Sequence, residues 1–288
     1  MSAHSSFSVR RARLRQLVAS GATIVAPGAT DALSARLIEA HGFECVYIGS
    51  YATAASRFGL PDTGLLSLSD MVEQVRTIAN AVRAPVIADA EGGFNDAPNI
   101  WRTVQAFEQA GASAIHIEDH AFGKHADVLQ RLRPLEEAVA RIHAAVEARE
   151  DPGFMVVARS DAVWVSGDFE DTVRRLAAYA EAGADMVFPT LVTPEQLTEI
   201  RRRVPRPAMI VDMPDRTLAD ETHAGASVVL YYGLSVLVQF DALGRALERF
   251  KSARDANAVP GYREKLHAFE AFMGYREFAE RARRYGQP

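Results

Sequence analysis

Short, continuous runs of Val, Ile and Ala alternate with longer stretches of helical period along almost the whole chain. The apolar runs fall at 22–28 (ATIVAPG), 44–50 (ECVYIGS), 85–92 (PVIADAEG), 112–119 (ASAIHIED), 154–161 (FMVVARSD), 185–190 (DMVFPT), 207–213 (PAMIVDM) and 227–233 (SVVLYYG). They are mostly unbroken rather than strictly alternating, the pattern of parallel strands buried on both faces. Between them lie helical stretches from Asp31, from Ser67, and over 99–111, 134–150, 169–183 and 193–204. Asp31 is placed to cap the first of these and Gly42 to end it. A phrase recurs where helix gives way to strand, with Gly42, Gly111, Gly183 or Gly225 just before the apolar run. Eight such β–α units predict a (β/α)8 TIM barrel. A doubly wound sheet is the rival, but no Gly-x-Gly-x-x-Gly follows the first strand. No Pro- or Ser-rich linker divides the chain, so one domain over 1–288 is expected. It would carry an N-terminal helical segment over 1–20 and a C-terminal helical tail over 258–288. That tail holds Phe269, Phe272, Met273, Tyr275 and Phe278, apolar surface that calls for cover by its own barrel or a neighbouring subunit.

Composition narrows the class. The 288 residues are 48% hydrophobic and 24% charged, and 32 Lys and Arg against 37 Asp and Glu leave a formal charge of −5. Nucleic acid needs a concentrated basic face, so it is not an expected partner. The apolar runs fall far short of the roughly 20 residues of a membrane-spanning helix, and the N-terminus has no secretory pattern. A single cysteine, Cys45, makes no internal disulfide and is expected to face the core. A cytoplasmic protein is the expectation. Trp101 and Trp164 read as packing residues.

In a barrel, side chains at the C-terminal ends of strands face the catalytic mouth. There the third run ends in Asp89 and Glu91, the fourth in His116 and Glu118, and the fifth in Arg159; Asp62 (LPDTG) follows the second. Residues two apart on a strand share a face. Carboxylates converging on one mouth repel unless a cation sits among them, and an all-oxygen set favours a hard ion such as Mg2+. Any one of these acids is otherwise a solvated rim residue or a helix cap. Arg159 reads as a fork for a substrate carboxylate or phosphonate, or as the ion-pair partner of an acid such as Glu118. Gly49, Ser50, Tyr51 and Ala52 read as a backbone cradle for an anion or as an ordinary loop. His116 is either a base or a hydrogen-bonded core residue.

The phrases PGATDALSARLIEAHGFECVYIGS, LPDTGLLSLSDMVEQVRTIA, PVIADAEGGFNDAPNIWRTVQAFEQAGASAIHIED, PLEEAVARIHAAVEA, ARSDA and AGADMVF together resemble the isocitrate lyase and phosphoenolpyruvate mutase superfamily over about residues 22–190. The remainder is loosely similar to its oxaloacetate-decarboxylase-like branch. The resemblance implies a Mg2+-dependent barrel, with Mn2+ as an alternative ion, assembled as a homotetramer with its last barrel helix swapped between subunits. Carried over residue by residue, it implies Asp89 as direct metal ligand, with Asp62, Glu91 and Glu118 holding metal-bound water. Arg159 would grip the substrate, and Ser50 with its neighbours would bind its carboxylate. Arg159, Glu118 and His116 are then the candidate catalytic residues. Gly49, Ser50, Tyr51, Arg159, Tyr231 and Tyr232 are the candidates for substrate binding.

Three departures shape the expected chemistry. Lyases of the superfamily carry Lys-Lys/Arg-Cys-Gly-His after strand four, whereas this loop reads HAFGKHADVLQRLRP. Lys124 or His125 would have to replace that cysteine, or else both face solvent. The usual second Asp of the strand-three motif is Glu91, and a usual VEG is VFPTL, with Thr190 near the missing acid. Tyr231, Tyr232 and Met213 suggest a pocket wall more apolar than a tricarboxylate needs. What remains is a carbon–carbon lyase or decarboxylase of a small 2-oxo or 2-hydroxy acid such as oxaloacetate. The alternatives are a hydrolase of oxaloacetate or phosphonopyruvate, a lyase with a bulkier substrate, and a non-enzymatic metal-binding scaffold. The loop over 120–133, with Gly123, reads as a lid.

Overall fold

The computed structural model describes residues 3–122, 124–125 and 128–286. Its strands are β1 (Ile24–Pro27), β2 (Val46–Ile48), β3 (Val86–Asp89), β4 (Ala114–Glu118), β5 (His120–Phe122), β6 (Arg131–Leu132), β7 (Met155–Ser160), β8 (Met186–Pro189), β9 (Ala208–Val211) and β10 (Ala226–Tyr231). Eight of them form one parallel sheet in the order β1-β10-β9-β8-β7-β4-β3-β2. A parallel bridge between Gly28 and Tyr47 joins the two outer strands and closes the ring. All eight predicted strands are present, and the (β/α)8 barrel stands. Gly28 sits at this seam because a Cβ there would lie 2.5 Å from the Tyr232 carbonyl oxygen.

The strand residues divide between two apolar layers, as alternation across a strand requires. Ile24, Tyr47, Ile87, Val157, Phe188, Met209 and Leu230 fill the barrel interior. Ile48, Ala88, Ile115, Val156, Val187 and Val229 face outward into the helical layer. Leu14 and Val18 of the helix Ala3–Ala19 join the inner cluster. Arg11 of that helix binds the Ala112 carbonyl, and Arg15 those of Gly153 and Phe154. These contacts lie beside the strand starts, so the N-terminal helix closes the end opposite the mouth. Cys45 is buried in the inner cluster, where burial pushes its thiol up to about 12 and leaves it inert.

Helix ends follow the predicted chemistry. Asp31 caps Ala32–Ala40 in a capping box with Ser34, and Ser67 caps Leu68–Ala81 with Asp70. Gly111 ends Ile100–Ala110 at φ 104°, and a Cβ there would sit 2.7 Å from the Phe7 ring. Trp101 departs from its expected packing role: it lies on the outer face of that helix, 50% exposed. In the segment read as a lid, His120 pairs with Leu132 and Phe122 with Arg131 in a short antiparallel ladder. Gly123 lies outside the described residues.

The chain forms two compact units, Met1–Val236 and Leu237–Pro288. The second comprises most of the helix Leu234–Ala253 followed by Leu266–Met273 and Tyr275–Arg284. It exposes Leu237, Phe240, Leu243, Phe269 and Phe278. Among the described residues no helix is long and apolar enough to cross a membrane.

Candidate active site

Asp89 ends β3, buried, and the chain turns sharply after it. The Glu91 amide donates to Asp89 Oδ1 at 2.8 Å, and the Glu118 amide donates to the Glu91 carbonyl at 2.9 Å. Glu91 therefore meets Asp89 not by strand alternation but through a left-handed backbone at φ 49°, which costs a non-glycine residue about 1 kcal/mol. One carboxylate oxygen from each of Asp89, Glu91 and Glu118 lies within 4.8 Å of the others. Ser50 commits both its amide and its hydroxyl to Asp89 Oδ2, at 3.3 and 2.9 Å. That amide is thereby taken from the predicted anion cradle and orients a carboxylate instead.

Lys124 stands among these acids rather than in solvent. Its Nζ lies 2.8 Å from Glu91, 3.2 Å from Glu118, 3.8 Å from Asp62 and 4.0 Å from Asp89. His125 Nε2 is 3.3 Å from Asp62. Burial raises Glu118 to about 8, outweighing Lys124 and Arg159 beside it. Burial likewise raises Glu91, against the pull of Lys124. Asp89 goes the other way: burial opposes its charge, but His116, Lys124, Arg159 and the Glu91 amide hold it well below the usual carboxylate range. Burial alone would lower the Lys124 ammonium, yet the surrounding carboxylates raise it.

Arg159 is the ion-pair partner of Glu118 that one reading of the sequence expected, and it borders a cavity. Its Nε and Nη2 donate to Asp161 at 2.7 and 3.1 Å, and Nη1 lies 3.2 Å from Glu118. Asp161 also accepts from the Thr190 hydroxyl at 2.6 Å and lies 3.0 Å from His120 Nδ1. Asp161 thus fixes the plane of the guanidinium, and it is the partner that sequence reasoning missed. Its signal was in plain view, in the strand-end phrase ARSDA.

A cavity of about 300 Å³ opens on this cluster. Its lining joins polar Ser50, Asp62, Asp89, Lys124 and Arg159 to apolar Trp164, Phe188, Leu191, Val211 and Tyr232. Gly49 and Tyr51 also border it, with Tyr51 edge-on to Tyr232 at 5.5 Å. A second cavity of about 610 Å³ is lined by Glu91, Glu118, Arg133 and Arg141, and Lys124 borders both cavities.

Four sequence expectations change here. Tyr231 faces outward and packs on the helical layer, because it alternates with Tyr232. His116 is fully buried, 3.0 Å from the Tyr47 hydroxyl and 3.7 Å from Asp89, and lines neither cavity. Burial lowers it to about 4, so near neutral pH it is an uncharged support beneath Asp89. Trp164 is a cavity wall rather than core packing, with its ring 4.8 Å from His125. From β9 it is Val211, and not Met213, that borders the cavity.

The donor set suits a hard divalent cation: every candidate ligand is a carboxylate oxygen, and Glu91 Oε1 is buried with no hydrogen-bond partner. Glu118 Oε2 is flanked by Lys124 and Arg159 yet makes no well-directed hydrogen bond.

The phosphoenolpyruvate phosphomutase family profile matches residues 14–251. The chain is 38% identical over 221 residues to a 2,3-dimethylmalate lyase of Eubacterium barkeri, covering 76% of this chain and 73% of that one. The fold superposes on a phosphoenolpyruvate phosphomutase from Streptomyces platensis subsp. rosaceus with a TM-score of 0.90 at 30% identity, covering 96% and 99% of the two chains. A phosphonopyruvate hydrolase in complex with oxalate and Mg2+ superposes with a TM-score of 0.88 at 30% identity, covering 96% and 99%.

Proposed function

Because the chain belongs to the isocitrate lyase and phosphoenolpyruvate mutase superfamily, we propose that it is a Mg2+-dependent carbon–carbon lyase or decarboxylase. Its substrate is a small 2-oxo or 2-hydroxy carboxylic acid, of which oxaloacetate is the simplest. The observation that carries this reading is the meeting of Asp89, Glu91 and Glu118 in one oxygen cluster, whose Asp89 borders a small cavity together with Arg159. Asp89 is the direct metal ligand in this proposal, and Asp62, Glu91 and Glu118 hold the ion's water.

A bound divalent ion would act as a Lewis acid toward the oxygen that gains charge as the bond breaks. In oxaloacetate decarboxylation the C3–C4 bond breaks, CO2 leaves, and the electron pair passes to the C2 oxygen as an enolate. C3 then takes a proton from solvent. Arg159, held flat by Asp161, presents a preorganised cation to the substrate carboxylate and the developing charge. Ser50 keeps Asp89 turned toward the cavity. Trp164, Phe188 and Tyr232 give the cavity an apolar lining that would exclude water around the bound acid. A 2-hydroxy acid also needs a base for its hydroxyl proton, and His125 beside Asp62 is the cavity group placed for it.

The apolar wall and the dimethylmalate lyase relative favour, as a second reading, a lyase for an alkyl-substituted acid. Likeness to a phosphonopyruvate hydrolase supports a hydrolytic version of the same site. The test is 1H and 31P NMR with oxaloacetate, phosphonopyruvate, methylisocitrate and substituted malates, first with Mg2+ and then with excess chelator. Chelator-sensitive pyruvate from oxaloacetate, well above the metal-only rate, supports the decarboxylase. Oxalate plus acetate selects the hydrolase. Turnover of a substituted malate alone selects the alkyl-acid lyase, and no turnover of any acid contradicts the proposal.

A further inference from the structure

Lys124 occupies the centre of the carboxylate cage. Its ammonium lies within 4.0 Å of four acids, Asp62, Asp89, Glu91 and Glu118, and 3.4 Å from the Ser50 hydroxyl. The side chain is 7% exposed, so solvent does little to screen these contacts. Four acids this close need a counter-charge, and in this arrangement the chain supplies one of its own.

We propose that Lys124 and a divalent cation are alternative occupants of this cage, so that the cation binds only as the Lys124 ammonium leaves it. The argument rests on reading the Asp89 centre as a cation site, and it concerns metal binding rather than turnover. A Mg2+ ion needs oxygen ligands at about 2.0–2.1 Å in near-octahedral array. An ammonium 2.8 Å from Glu91 and 3.2 Å from Glu118 claims the same oxygens. Two cations held this close also repel strongly away from bulk water. Both cavities border Lys124, so space for the displaced side chain exists on either side. On the smaller cavity the released ammonium becomes a cation for a substrate carboxylate, at a wall where Arg159 is already paired with Asp161 and Glu118. Metal loading thereby arms the substrate pocket, and the metal-free protein keeps its acids neutralised.

Mn2+ titration of the full chain by calorimetry, without substrate, compares wild type with Lys124→Met. Removing the competitor is expected to tighten Mn2+ binding at least tenfold, whereas Lys124→Arg retains weak binding. A second readout uses the wild-type protein, so it holds even where Lys124→Met folds poorly. Reductive methylation followed by peptide mass spectrometry is expected to label Lys124 several-fold more with saturating Mg2+ than with chelator. Equal or weaker Mn2+ affinity in a folded Lys124→Met, or Lys124 labelling that Mg2+ leaves unchanged, overturns the proposal. If Mn2+ competes with Lys124 while no acid in the NMR panel is turned over, the inference stands and the proposed activity falls.

Discussion

Arg159 shows how a single side chain acquires a task from its neighbours. Three of its nitrogens face acids, and Asp161 is itself fixed by Thr190 and lies against His120. Losing such a preorganised cation is expected to cost about 10²–10³ in kcat. Arg159→Ala tested on the acid that the wild type turns over checks this. A decrease below tenfold would make Arg159 merely structural. Glu221 makes a separate point about charge. It is 2% exposed, and neither carboxylate oxygen has a hydrogen-bond partner. Burial, with Asp212 adding to it, pushes it up to about 7. A carboxyl raised in the folded state binds more protons there than in the unfolded chain, so its contribution to stability falls as pH rises from about 4.5 to 7. Glu221→Gln should therefore melt about 2–4 °C above wild type at pH 8, the scale of about 1 kcal/mol in a domain of this size. At pH 4 the two should melt together. A gap independent of pH would contradict the assignment.

The positions of Asp89, Glu118 and Arg159 were legible because strand ends face the mouth of a barrel. The position of Lys124 was not. It lies in an irregular segment after β4, where no period indicates which way a side chain points, and a lysine there reads as solvated. His116 was legible only as a choice, since its Tyr47 partner lies 69 residues away. Tyr231 was misread because two consecutive tyrosines at a strand end must face opposite ways, and their identity alone does not say which faces inward.

At the scale of elements, the unbroken apolar runs carried the eight strands, and the recurrent glycines marked where helices end. The antiparallel pairing of β5 with β6 was hidden, because two- and three-residue strands leave no periodic trace. The helix-to-strand junction at Gly111 rests on a glycine for two reasons, a positive φ and contact with Phe7. Gly111→Ala is expected to lower unfolding free energy by about 1–3 kcal/mol, through backbone strain and overpacking. Denaturant titration measures this. An unchanged midpoint would mean that the N-terminal helix yields freely and does not hold the closed end of the barrel.

At the scale of the whole molecule, the Leu237–Pro288 unit leaves several large apolar side chains exposed. Apolar surface of this kind marks an interaction site, and we propose a homotetramer as the assembly. Light scattering coupled to size exclusion should give four times the chain mass of 31.4 kDa, and a monomer at micromolar concentration would contradict it. We propose that the oxygen cluster around Asp89 binds the ion that makes bond cleavage possible. The direct measurement is the initial rate of pyruvate formation from oxaloacetate with Mg2+, for wild type and for Asp89→Ala, each corrected for the metal-only reaction. The account predicts a chelator-sensitive rate for wild type and none above background for a folded Asp89→Ala. Equal rates for the two proteins would place the chemistry elsewhere.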